Sequence, residues 1–173
     1  MCPASPEQQH HLLDGRTVTI RAIRRDDAER EKGFLAALSG ESLYLRFQRW
    51  MSAPFDELIR FLTQVDLDRH LALVCTAPSD RGEELVGEAR YVVNPAGDSC
   101  EFGIVIADAW HKSGIAGLLM DALIAAARER GLRRMEGLVL TGNFPMLRFA
   151  RGLGFELSIA PDDPTITRIV KRL

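Results

Sequence analysis

The residues best suited to chemistry lie in one stretch, Glu101-Phe102-Gly103-Ile104-Val105-Ile106-Ala107-Asp108-Ala109-Trp110-His111-Lys112-Ser113-Gly114-Ile115-Ala116-Gly117-Leu118. An apolar run that reads as a strand meets a tight turn of small residues, and a long helical pattern begins at once. Such a junction offers unpaired backbone N–H groups and the positive end of a helix dipole, which together suit an anion, best a pyrophosphate. Gly114, Ala116 and Gly117 let phosphates come close to the main chain. The turn lacks the G-x-G-x-x-G pattern, follows the fourth expected strand rather than the first, and is not a lysine-bearing P-loop. A dinucleotide or nucleoside triphosphate fold is therefore not indicated. On glycine spacing alone, a strand–helix turn that binds nothing is the competing reading.

Other reactive side chains are scattered. His10 and His11 lie near the N-terminus, and His70 and His111 stand far apart in sequence, so no metal site is expected. Cys2, Cys75 and Cys100 cannot all pair and none sits in a C-x-x-C spacing, which points to a reducing compartment. The polar, proline-rich start has no signal-peptide stretch, and a cytoplasmic location is the expectation.

These residues must be held by a chain of 173 residues, enough for one domain with an ordinary core. The apolar fraction is 46% and the charged fraction 27%, as in soluble globular proteins. With 22 basic and 24 acidic residues the net charge is −2, so no overall field recruits nucleic acid or a membrane surface. The longest apolar run, Leu118 to Ala127, is broken by Asp121 and is too short to span a bilayer.

Residues 1–14 read as a flexible tail and 15–173 as a single domain. Val18, Ile20 and Ala22 alternate with Thr17, Thr19 and Arg21, a half-buried strand. Asp26 with Glu29 reads as the capped entrance of a helix to about Leu38. Short helices follow over Glu41 to Phe47 and Pro54 to Leu62, and then strands over 71–75, 85–93 and 99–106 joined by turns that demand antiparallel pairing. A helix from about Gly114 to Arg130, a strand over 135–140, a helix over 145–151 and two terminal strands around Pro161–Pro164 complete the order β-ααα-βββ-α-β-α-ββ. The fold class is α+β, a mixed sheet of about seven strands with helices on its faces.

Trp110-His111-Lys112-Ser113-Gly114-Ile115-Ala116 resembles the acyl-CoA pyrophosphate loop (Q/R-x-x-G-x-G/A) of the GNAT superfamily of N-acetyltransferases. Ile23–Asp27, Ser42–Phe47, Asp66–Arg69, Val86–Tyr91, Asn143–Met146 and Gly152–Phe155 extend the likeness over nearly the whole chain. They look particularly like the acetyltransferase domain of bacterial Pat-type protein lysine acetyltransferases. Such relatives often carry large additional domains, for which this chain has no room. The resemblance implies a mostly antiparallel sheet splayed between strands four and five. It implies that the backbone of His111, Lys112, Ser113, Gly114, Ile115 and Ala116 cradles the pyrophosphate of acetyl-CoA. It further implies that the strand carrying Ile104, Val105 and Ile106 takes the pantetheine arm, and that Asn143 hydrogen-bonds the cofactor near the split. Two departures stand out: His111 and Ser113 replace the usual Gln or Arg and Arg, and Ala150 stands where many relatives have a tyrosine that protonates the departing thiolate.

Acetyl transfer to an amine needs a neutral nucleophile, and a lysine of pKa about 10.4 is only roughly 0.04% neutral at pH 7, a deficit of about 4.6 kcal/mol. Glu101 is the first candidate for the general base, because it begins the cofactor strand and matches the Pat-type glutamate; partial burial is expected to raise its pKa. An ion pair with Arg90 is the alternative use of Glu101, and Glu88 is the rival base. A strand amide near Ile104 is expected to serve the thioester oxygen. Asp66 and Asp68 either attract a cationic substrate or cap a strand entrance. Trp110 reads as a packing lid, Trp50 and Met51 as cleft lining or core, and Cys75 and Cys100 as buried thiols rather than acyl carriers. The acceptor is a protein lysine or a small amine or amino acid. A catalytically weak acyl-CoA sensor is the reading from another class. The expected partners are acetyl-CoA and that amine, and the expected oligomeric state is a monomer or homodimer.

Overall fold

The computed structural model describes residues 7–48 and 56–173. Its sheet has eight strands in the order β1-β2-β3-β4-β5-β6-β8-β7: β1 Gln8–His11, β2 Thr17–Ala22, β3 His70–Ser79, β4 Gly82–Val93, β5 Ser99–Ile106, β6 Arg134–Leu140, β7 Glu156–Ala160 and β8 Asp163–Arg172. Helices α1 Ala28–Ala37, α2 Gly40–Phe47, α3 Asp56–Thr63, α4 Ile115–Glu129 and α5 Phe144–Gly152 pack on it. β3 is buried along nearly its whole length, as a strand covered on both faces must be. On one face α4 and α5 close a core through Ile115, Leu119, Leu123 and Ala150 against Leu73, Ala89, Met135 and Ile169. On the other, Phe34 and Leu35 of α1 and Ile59 and Leu62 of α3 close a second core against Ala72, Val74 and Val105.

The expected elements are present, with two corrections. Part of the segment read as a flexible tail is β1, which pairs antiparallel with β2 from Gln8↔Ile20 to His11↔Thr17 and makes the sheet eight-stranded. Residue Asp26 does not cap α1. A 3-10 turn over Arg25–Asp27 leads in, and it is the buried Asp27 that accepts the Arg24 N–H at 2.8 Å and the guanidinium of Arg21 at 2.7 and 2.8 Å. The start of the expected third helix, Pro54 and Phe55, lies outside the described residues, as do Trp50 and Met51.

The functional feature of this topology is the one parallel pair of strands among the described residues. β5 and β6 are joined at Ser99↔Arg134, Cys100↔Met135 and Glu101↔Glu136 and no further, while β5 stays paired to β4 as far as Gly87↔Ile106. Past Glu101 the two strands part, and the expected splay between the fourth and fifth read strands is this opening. α4 starts after β5 and α5 starts after β6, so both helices begin at the carboxyl end of the split. In open sheets that is where ligands bind.

Candidate active site

The loop at the open end of the split is built to leave amides bare. A 3-10 turn over Asp108–Trp110, left-handed Lys112 at φ 62 and left-handed Gly114 at φ 93 fold the chain back so that α4 begins at Ile115. Trp110, His111 and Ser113 N–H groups are spent inside the turn, on Ala107, Asp108 and Trp110 carbonyls. The N–H groups of Lys112 and Gly114 have no protein acceptor among the described residues. Leu118 makes the first bond back, to Gly114 O, so those of Ala116 and Gly117 precede the helical ladder. Ile115 N–H has only a long 3.5 Å contact to Ser113 Oγ. A Cβ placed at Gly114 or Gly117 would meet no atom within 4 Å beyond its own stretch of chain, so the space beside both is open. Bare amides, a fifteen-residue helix's positive end and the Lys112 ammonium all fit a pyrophosphate.

Two contacts set this loop in place. His111 reaches back to Ile106 O at 3.1 Å. The Asp108 carboxylate accepts Ser39 N–H at 2.9 Å, Ser39 Oγ at 3.0 Å and Ser42 Oγ at 2.7 Å, which ties the loop to the first turn of α2. Trp110 is half-buried with the Arg16 guanidinium 3.8 Å above its ring, consistent with packing. Ile104 and Ile106 side chains lean toward the α4 core, whereas Val105 is buried in the α1/α3 core and can offer a ligand only its main chain. Asn143 sits at the start of α5, where its Oδ1 accepts Met146 N–H at 3.3 Å. Ala150 is buried in α5 and has nothing to donate.

Glu101 lies at the last joined pair of β5 and β6 and its side chain is exposed. The partial burial expected of it is absent. The alternative pairing with Arg90 is also absent, because Val92 stands opposite Glu101 and Arg90 opposite Gly103. Around Glu101 on the same face are the exposed apolar side chains of Val92 and Leu138, with Phe61 of α3 stacked 5.1 Å from His70 beyond them. Beyond β6 on this face, Arg168 and Arg172 are exposed and Val170 is half-buried. The residue that ends α2 reaches this half, where Gln48 Nε2–H donates to Leu138 O at 2.9 Å.

Below Glu101, the covered half holds a charged cluster. Arg90 grips Glu88 with two nitrogens, Nε–H donating to Oε1 at 3.0 Å, and donates to Leu62 O at 3.0 Å. Burial works to raise the Glu88 carboxyl, and Arg90 and Arg46 outweigh it, leaving it below the ordinary carboxylate range. Sealed and ionised, Glu88 is a structural anion and not the rival base. Glu31 of α1 is fully buried and receives no hydrogen bond from any described donor; burial and then the neighbouring Glu88 charge push its carboxyl up to about 9. His70, 3.1 Å from Arg90, is pulled down to about 4 by burial and then by Arg90.

Arg46 completes the cluster. Its Nη2 lies 3.9 Å from Glu88 Oε1, its Nε has no partner, and its side chain is 16% exposed. Arg46 lies in the Ser42–Phe47 segment of the resemblance, but the sequence assigns neither it nor Glu31 a role. The available signal was Gly103, a glycine inside an apolar strand, which marks a close approach. Asp66 serves as a cap, accepting the N–H groups of Asp68, Arg69 and His70 at 2.8–3.0 Å. Asp68 meets Arg130 at 2.6 Å. Burial pushes the Cys75 thiol up to about 12, and burial followed by Glu136 does the same for Cys100. Among the described residues no group of three or more His, Cys, Asp or Glu could hold a metal, and no helix is long and apolar enough to cross a membrane.

Residues 20–155 match the model of the acetyltransferase (GNAT) family. Acetyltransferase PA5475 of Pseudomonas aeruginosa is 33% identical over 162 residues, which is 94% of this chain and 86% of that protein. Acetyltransferase Pat of Mycolicibacterium smegmatis is 30% identical over 136 residues, 78% of this chain but only 40% of the longer Pat protein. Among solved structures, the GNAT domain of S. lividans PAT superposes with a TM-score of 0.89 at 28% identity, each chain covered in full.

Proposed function

The chain belongs to the GNAT acetyltransferase family and is an acetyl-CoA-dependent transferase related to the Pat-type domains; from that premise we propose that it moves the acetyl group directly onto a protein lysine, with Glu101 as general base. The observation that carries this reading is the position of the Glu101 carboxylate, exposed where β5 and β6 part and beside the exposed Val92 and Leu138. A lysine on a folded protein can reach such a carboxylate, its methylene stem lying on Val92 and Leu138. Acetyl-CoA supplies the activated thioester. The amides of Lys112, Gly114, Ala116 and Gly117 would hold its pyrophosphate, the β5 main chain at Ile104 to Ile106 its pantetheine arm, and the Asn143 NH2 a polar group of that arm.

Glu101 then takes the proton that the attacking ammonium must lose, which recovers part of the lysine's 4.6 kcal/mol deficit (about 3.4 pH units). The thiolate, whose ordinary pKa is about 8.5, leaves without a protein acid, since Ala150 has none to offer. A two-step route through an acyl-cysteine is disfavoured by the burial of Cys75 and Cys100. A thiol-release assay tests the acceptor class: protein substrates and lysine peptides are expected to turn over, and acetylated lysines should appear by mass spectrometry. Turnover confined to free amino acids or polyamines would overturn the lysine assignment. Acetyl-CoA binding with no turnover on any amine would favour a sensor.

A further inference from the structure

We propose that Arg46 is a second catalytic group, a guanidinium set at the apex of the split to carry the negative charge that develops on the thioester oxygen. The inference rests on the reading just given. Its geometric basis is Gly103, the first residue past the last joined pair of β5 and β6 that faces the same side as Glu101. A Cβ on Gly103 would lie 2.7 Å from Arg46 Cζ and 2.9 Å from each Nη. Three atoms so nearly equidistant from one point show the guanidinium lying flat on the strand, where a side chain would otherwise stand. A thioester whose pantetheine follows Ile104 to Ile106 ends beside this glycine. Arg46 is 16% exposed, its buried Nε–H has no partner, and its Nη2 lies 3.9 Å from Glu88 Oε1.

The charges around it fit the reaction. Facing Arg46 are Glu88 and Arg90 from β4, Glu31 from α1 and Glu101 from β5. At neutral pH Glu31 is protonated, so the guanidiniums of Arg46 and Arg90 share the buried Glu88 carboxylate, and Glu101 is the further anion that faces Arg46. In the transfer, once Glu101 has passed the ammonium's first proton to solvent, the amine nitrogen bonds to the thioester carbon, the C=O pair moves onto oxygen, and the nitrogen's second proton passes to the again ionised Glu101. Glu101 is thereby neutralised as the oxygen becomes negative, so the negative charge facing Arg46 is unchanged in amount. When the C=O bond re-forms, the C–S bond breaks, the sulfur leaves with its electron pair and takes a proton from water, the hydroxide so formed is neutralised by the proton held on Glu101, and the products are the amide and the thiol.

The test compares Arg46→Met, Arg46→Lys, Gly103→Ala and Glu101→Gln by thiol release, with thermal unfolding of each. Arg46→Met is expected to lower kcat by about 100-fold with KM for acetyl-CoA changed less than about threefold, the loss typical of one oxyanion donor. Arg46→Lys, which keeps the charge, should recover part of that loss. Gly103→Ala, whose Cβ must displace the guanidinium, should lower kcat in the same selective way; it and Arg46→Lys decide the matter if Arg46→Met fails to fold. Wild-type kcat in these folded variants, or a change confined to KM, would overturn the role of Arg46 while an inactive Glu101→Gln left the underlying reading intact. Wild-type turnover by Glu101→Gln would instead remove the reading on which the inference rests.

Discussion

Glu31 offers a quantitative test of the buried cluster. Its carboxyl titrates near 9 in the folded chain against an ordinary 4.5, so between those values the folded state holds a proton that the unfolded state has released. Stability then falls as pH rises, by about 1.4 kcal/mol per unit, from the ordinary carboxylate range until the folded group itself ionises. Glu31→Gln keeps the shape and removes the titration. Other shifted groups, such as His70, act equally on both proteins and cancel in the difference. The stability of the variant relative to wild type should therefore grow by about 3 kcal/mol between pH 6 and pH 8. Urea unfolding of both proteins at intervals across that range measures it. A difference that stays constant with pH would show that Glu31 is already ionised in the fold, and the charge balance assigned to Arg46 would fail with it.

Glu101→Gln is expected to lower the rate at pH 7 by about 100-fold with acetyl-CoA affinity nearly unchanged, checked by steady-state kinetics and calorimetry; an unchanged rate would remove Glu101 from the role. Gly114→Glu places a carboxylate in the open space over the bare amides and strains a left-handed position by about 1–2 kcal/mol. It should abolish acetyl-CoA binding in calorimetry while circular dichroism still reports a folded domain. Glu88→Gln leaves two buried guanidiniums short of their anion and should cost about 3–5 kcal/mol in urea unfolding; a loss below about 1 kcal/mol would contradict its structural assignment.

The parts legible in the sequence are those fixed by local pattern. The run from Glu101 through Gly114 into α4 announces strand, turn and helix by residue type alone, and the loop's bare amides follow from helix geometry wherever the helix begins. β1 was not legible because Gln8–His11 shows no apolar alternation; its place depends on pairing with β2 at the sheet edge. That Asp27 rather than Asp26 is the buried carboxylate at the entrance of α1 is decided by Arg21, a strand residue whose guanidinium reaches across to it. The same holds for the charged cluster. Glu88 and Arg90 are two apart on a strand and must share a face, yet only the packing of α1, α2 and α3 makes that face dry. Only the missing side chain of Gly103 lets Arg46 lie on it. Glu101 shares that face and still reaches solvent.

A crystal structure with coenzyme A bound bears most directly on the whole account. It should show the pyrophosphate on the N–H groups of Lys112, Gly114, Ala116 and Gly117 and the pantetheine arm between β5 and β6, with its sulfur next to Gly103 and within reach of Glu101. Coenzyme A seated on another face, or β5 and β6 zipped together past Glu101 with the ligand excluded, would contradict it.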